Sequence, residues 1–266
     1  MSRLSGFARS ALVAGVVGMS VLASTPSSAA TIQLGFILDR SGSIGSSNWN
    51  TIVNGLSSAI NTLIPVSGPD VYEISVVTFA GSASTTAGTS KILVSDAATR
   101  SALASAISGL SSVYAGGTTN YSAAFSLMDT TLRASTAGAS KTYVNFATDG
   151  EPNPSGANGL TERANMIRSA VGGYVDNISI EGIGAGVDAA WLKNNICYPA
   201  PCDDTNPYDF PSKGFYIGVA NAQAYVDAIA HKIRVVTGQV PEPASLALVG
   251  MALLGIGAAR RGKAKA

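Results

Sequence analysis

Thr31-Ile32-Gln33-Leu34-Gly35-Phe36-Ile37-Leu38-Asp39-Arg40-Ser41-Gly42-Ser43 changes character at Asp39. The first eight residues are a mostly apolar, partly β-branched run, as expected of a strand buried on both faces. The five that follow read as a tight turn, offering one carboxylate and two hydroxyls on alternate residues. Alone, Asp and Ser followed by Gly is ordinary turn chemistry. Its weight comes from what lies downstream.

Beyond the turn, Trp49, Ile52, Val53, Leu56, Ile60 and Leu63 recur at steps of three and four, one face of a helix stopped by Pro65. Val71–Phe79 is the next strand and 91–94 a short edge strand. Residues 97–107 read as a weak helix. Tyr121, Phe125, Met128 and Leu132 form another helical stripe, with Asn120 placed to cap it. After a strand at 141–147, Leu160, Ala164, Ile167 and Val171 predict a helix ending at Gly172-Gly173. Strands at 177–182 and 214–219 follow, the second leading into a last helix over about 222–235 with Tyr225, Ile229 and Ile233. This alternation predicts an α/β fold, a single doubly wound, mostly parallel sheet with helices on both faces. Such sheets bind ligands outside the carboxyl ends of their strands.

Three loops fall at that edge: Asp39 to Ser43, Gly116-Gly117-Thr118-Thr119-Asn120, and Thr148-Asp149-Gly150-Glu151. Asp39, Ser41, Ser43, Thr118 and Asp149 in them give two carboxylates and three hydroxyls, without sulfur or imidazole, and that set suits a hard divalent cation: Mg²⁺, Ca²⁺ or Mn²⁺. The order D-x-S-x-S, Gly-Gly-Thr, Thr-Asp-Gly resembles the metal-ion-dependent adhesion site of von Willebrand factor type A domains, the integrin I-domain family. The resemblance covers roughly 31–236, nearly all of the mature chain. It implies that Asp39, Ser41, Ser43, Thr118 and Asp149 surround the cation, with Thr119 the adjacent alternative to Thr118. It also implies that the serines, with or without the threonine, bind directly while the aspartates act largely through water. One position is then left for a carboxylate from a protein or acidic-polysaccharide partner, and the last helix can slide as the site tightens.

The two ends read differently. Residues 1–30 run from Arg3 and Arg9 through an apolar stretch to Ser28 and Ala30, the plan of a secretory signal peptide cut after Ala30. At the other end, 239–266, Pro241-Glu242-Pro243 precedes an apolar segment, 244–259, and a basic end. This resembles the PEP-CTERM sorting tail of Gram-negative bacteria. The resemblance implies an exosortase-type processing enzyme as partner and at least transient membrane contact through 244–259. The domain between, 31–238, carries 11 basic and 15 acidic residues, a net charge of −4. It is an exported, acidic domain, expected at the cell envelope, cell surface or extracellular matrix.

Several classes are excluded. One histidine and two cysteines leave no zinc site of the Cys/His type, and the charge balance gives no basic face for nucleic acid. No G-x-S-x-G or G-x4-G-K-[S/T] occurs. His231 reads as a surface or packing residue, and Glu151 has no second feature to make it a general base. Enzyme activity is therefore not expected, a metal-dependent hydrolase ranking last. The expected role is capture of a macromolecule through the cation; the competing one is a matrix component whose metal only stabilises the fold. Cys197 and Cys202 lie in a Pro- and Asp-rich loop, 194–213, where export favours a disulfide. Asp203, Asp204 and Asp209 read there as a solvated acidic loop rather than a second Ca²⁺ site.

Overall fold

A computed structural model describes residues 30–239. The signal peptide over 1–30, apart from Ala30, and the 244–259 segment of the tail lie outside them. Among the described residues no helix is long and apolar enough to cross a membrane.

The chain runs β1 (Thr31–Asp39), α1 (Ser46–Leu63), β2 (Val71–Phe79), β3 (Ala83–Thr85), β4 (Ile92–Val94), α2 (Ala97–Gly109), a 3-10 turn (Leu110–Val113), α3 (Tyr121–Arg133), β5 (Lys141–Thr148), α4 (Leu160–Met166), β6 (Asn177–Ile183), α5 (Ala189–Asn195), β7 (Tyr216–Val219) and α6 (Ala222–Val236). The sheet has the order β3-β2-β1-β5-β6-β7, with β4 also paired to β2. The β1, β2, β5, β6 and β7 neighbours are parallel; only the short β3 and β4 pair antiparallel. Doubly wound α/β is what the alternation requires, because parallel neighbours need crossovers and helices supply them.

The apolar runs of β1 and β2 are buried on both faces because helices cover both. Leu34, Phe36 and Leu38 pack with α1, α2 and α6 on one side. Ile37 packs with Val77, Phe146 and the Phe125–Met128 face of α3 on the other. Gly35 allows α3 to lie close: a β-carbon there would stand 2.8 Å from Met128 Sδ. The odd positions of β5 and β6 turned toward α6 include Asn145, Ser179 and Glu181, a buried polar patch in an otherwise apolar layer.

Two expectations are corrected. The helix beginning at Leu160 ends at Met166 rather than at Gly172, and Val171 is fully exposed. Ile167 turns to extended backbone and bridges Val175, while Tyr174 and Val175 both donate to the Met166 carbonyl. This side-to-side pairing outcompetes another helical turn. The chain also inserts β3, which its three small residues, Ala83, Ser84 and Thr85, did not announce. Cys197 and Cys202 are joined, with Cα atoms 5.8 Å apart. Arg163 anchors the bonded segment by donating to the carbonyls of Ile196 and Cys197 at 3.0 and 2.6 Å.

Candidate metal centre

Asp39 is the last residue of β1, and hydrogen bonds fix the turn behind it. Arg40 N–H donates to Phe79 O at 2.8 Å, Gly116 N–H to Arg40 O at 3.2 Å, and Gly42 N–H to Gly117 O at 3.0 Å. The first two loops are thereby laced together through the backbone. Gly116 and Gly117 have φ of 65° and 89°, left-handed values that explain why both are glycine. The Arg40 guanidinium points away from the carboxylates. It donates to Val113 O and to Ser84 Oγ, tying the turn to β3 and the 3-10 segment.

The carboxylates and serines meet directly. Ser41 N–H donates to Asp39 Oδ1 at 2.8 Å, and Thr148 Oγ1 donates to Asp39 Oδ2 at 2.7 Å. Ser41 and Ser43 hydroxyls lie 3.2 Å apart, and Ser43 Oγ donates to Asp149 Oδ1 at 2.7 Å. Four of the five expected residues therefore form one hydrogen-bonded chain across two strand ends. Thr118 is brought alongside by the Gly42–Gly117 contact but is not hydrogen-bonded to the other four. Its hydroxyl lies against Gly81, where a β-carbon would stand only 2.9 Å from it. Thr118 is exposed at the rim, whereas Thr119 is buried and its carbonyl accepts from Asn153. Of the adjacent threonines, Thr118 is the exposed one. Asn120 caps α3 through Ala123 N–H, as the sequence predicts, and also donates to Gly81 O.

Sequence reasoning reads Tyr121 only as part of a helical stripe and Thr148 only as the start of a loop, with no supporting role toward Asp39 for either. Thr148 supports the buried Asp39, and the Tyr121 hydroxyl lies 3.2 Å from Thr148 Oγ1 while donating to Gly150 O. No local signal could have paired Thr148 with a carboxylate 109 residues away.

Asp39 is only 1% exposed. Burial pushes its carboxyl up to about 6, against the opposing pull of hydrogen bonds from Ser41 and Thr148 and with a further push from Asp149. Burial also raises Asp149, partly offset by the Ser43 hydrogen bond. Among the described residues neither carboxylate has a cationic partner. Nor, among these residues, do three or more His, Cys, Asp or Glu side chains gather. The donor set is thus hydroxyl-rich with two under-compensated carboxylates, and it fits a hard divalent ion and no softer one.

Comparison with known proteins agrees with this architecture. The model of the von Willebrand factor type A domain matches residues 33–204, and the chain belongs to that family. Residues 239–261 match the PEP-CTERM protein-sorting motif, which implies exosortase processing. Together these mark an exported protein of the cell envelope or surface. No curated protein matches the chain by sequence. Among solved structures it is similar to proximal thread matrix protein 1 from the mussel byssus, with a TM-score of 0.54 and 16% identity over 78% of this chain and 46% of that one. It is also similar to a von Willebrand factor type A protein from Catenulispora acidiphila, with a TM-score of 0.52 and 15% identity over 77% and 42%. The pilus adhesin SpaC from Lactobacillus rhamnosus GG gives 0.53 and 14% over 77% and 30%. The chain spans less than half the length of each, and at these identities the likeness is one of fold.

Proposed function

We propose that Asp39, Ser41, Ser43, Thr118 and Asp149 hold a divalent cation, Mg²⁺ foremost with Ca²⁺ or Mn²⁺ as alternatives, and that the protein uses it to capture a macromolecule outside the cell. The observation that carries this is the pair of carboxylates, one buried, with hydroxyls between them and, among the described residues, no cationic partner. Ser41 and Ser43 supply neutral oxygens, Asp39 sets the turn through Ser41 N–H, and Thr148 holds the second Asp39 oxygen. A bound cation supplies a hard acceptor for a carboxylate from the partner, either a protein or an acidic polysaccharide. Arg40 and the two glycines keep the loops in register.

The test is a pull-down from native envelope and matrix with Mg²⁺ and with EDTA, beside calorimetry on Asp149→Ala. Capture is expected only with Mg²⁺, and Asp149→Ala is expected to lose cation affinity at least about tenfold, the scale for removing a group that acts on the ion through water. Its circular dichroism should stay near wild type, because the site lies at the sheet rim. Undiminished affinity in Asp39→Ala/Asp149→Ala would sink the assignment. Capture indifferent to EDTA, with melting lowered by it, would favour a cation that only stabilises the fold.

Processing is proposed at both ends. Protein from the native host should begin at Thr31 and end near 241–243. An intact mass that still includes 244–259 would replace sorting by simple anchoring.

A further inference from the structure

Beside the candidate metal centre a cleft of about 220 Å³ opens between the loop after β5, the start of α3 and α5. Tyr121 and Trp191 form its aromatic side, their ring centres 6.3 Å apart at a tilt of 44°. Tyr121 is fully buried and fixed by its hydroxyl, while Trp191 keeps part of its surface open. Glu151 and Asp188 line it with Ser155 and Asn158, and among the described residues no Lys, Arg or His does. Asp188 Oδ1 accepts Trp191 N–H at 2.8 Å, which fixes the start of α5 and leaves Oδ2 outside that bond. Neither carboxylate has an ion-pair partner among the described residues.

We propose that this cleft receives a cationic side chain, guanidinium or ammonium, of a protein partner. Its size sets the first limit: about 220 Å³ is below the roughly 300–1,000 Å³ of pockets that enclose drug-sized ligands, so it takes one side chain rather than a chain segment. Charge sets the second. Two carboxylates lining the same cleft as an indole are complementary to a cation, which can stack on the ring and donate to the acids. A neutral sugar would leave both acids uncompensated. The domain's net charge of −4 draws such a group in at long range. Gly150 lines the cleft and directly follows Asp149, so one partner can reach the cleft and the cation together. That joint use rests on the proposed function; the cleft's own affinity does not.

The experiment uses Nα-acetyl-arginine methylamide as probe, titrated into the ¹⁵N-labelled full chain with EDTA and again with Mg²⁺. The two tryptophans give internal contrast. Trp49 is buried with its indole donating to Leu110 O at 2.8 Å, whereas Trp191 borders the cleft. The Trp191 indole resonance is expected to shift saturably in both buffers while that of Trp49 stays still. Glu151→Gln, Asp188→Asn and Trp191→Leu should each weaken the probe by roughly three- to tenfold, the range of a single cation–π or charge-assisted contact. The Asp188→Asn variant keeps the α5 cap, since an asparagine side chain accepts the same N–H. Asp149→Ala should keep probe binding yet lose the cation, which separates failure of the cleft from failure of the metal site. The proposal is overturned if the probe binds no better than its norleucine counterpart, if the variants bind it as wild type does, or if methyl glucoside shifts Trp191 at lower concentration.

Discussion

Asp39→Asn is expected to make the cation-free protein more stable at pH 7 and to abolish divalent-cation binding. Asp39 is buried without a cationic partner among the described residues, and its carboxyl is raised from 3.8 to about 6 chiefly by that burial. A folded value above the unfolded one means that the folded state binds the proton more tightly. The resulting stability is fully present below about 4 and is lost as pH rises through about 6. At pH 7 the ionised group therefore costs roughly 3 kcal/mol, because each pH unit between the unfolded and folded values is worth about 1.4 kcal/mol. Asparagine removes that cost and can be accommodated: its oxygen keeps the Ser41 N–H bond, and its amide faces Thr148 Oγ1. That hydroxyl can turn to accept, with Gly150 O 3.3 Å away as an alternative acceptor for its proton. For a domain of this size the gain corresponds to roughly 6–12 °C in melting temperature. Wild type in EDTA should itself melt higher at pH 5 than at pH 7 from this group, and Asp39→Asn should lack that component. Adding Mg²⁺ should raise wild type alone, by mass action. Scanning calorimetry of both proteins, in EDTA and in Mg²⁺ at the two pH values, checks it. An asparagine variant that melts below wild type in EDTA at pH 7 would show that Asp39 is stabilising, not held ready for an ion.

The contrast between Asp39 and Thr148 shows what a sequence discloses. Asp39 is readable because it ends an apolar run and begins a turn, both local signals. Thr148 is the residue that holds Asp39, yet nothing near it points to residue 39; the pairing exists only because β5 lies parallel to β1. The central strands are legible for the same reason as Asp39, since residues covered on both sides form continuous apolar runs. The end of α4 is not, because Val171 keeps the helical spacing while the chain instead pairs Ile167 with Val175. Of the adjacent threonines, 118 and 119, spacing cannot choose; only the fold shows that Thr119 is buried and bridged to Asn153 while Thr118 stays exposed. The hardest feature to foresee is Lys232. It follows His231 near the end of a helix, three residues after the buried Ile229, where a lysine would ordinarily reach water. Instead it meets Glu181, which alternates with Ile178 and Ile180 along a central strand.

Lys232→Met is expected to destabilise the fold by about 3–5 kcal/mol, and Lys232→Met/Glu181→Leu to recover most of that loss. Lys232 is 2% exposed and Glu181 wholly buried, with Nζ and Oε1 2.5 Å apart. Asn145 Oδ1 accepts a second hydrogen from the ammonium, and the Phe215 ring centre lies 5.0 Å from Nζ. Burial works to raise the Glu181 carboxyl and lower the Lys232 ammonium, and each opposes the other's shift through its charge. Removing the lysine alone strands a buried carboxylate; replacing both with apolar side chains removes the burial cost of charge along with the attraction. The pair also bears on whether α6 can slide. One helical turn is about 5.4 Å, enough to carry Nζ out of reach of Oε1. A slid helix would thus forfeit the same roughly 3–5 kcal/mol unless it found new partners, so a ligand would have to prefer that form by roughly 10²–10⁴-fold to populate it. The double variant lacks this pin. Its α6 amides should exchange hydrogen at least tenfold faster than those of wild type at matched global stability, while β1 and β5 amides hold. Denaturant unfolding of the full double-mutant cycle, with hydrogen exchange resolved along α6, measures both effects. If Lys232→Met costs less than about 1 kcal/mol, or if α6 exchanges alike in every variant, Lys232 does not fix the helix and its register is set by Tyr225, Ile229 and Ile233 alone.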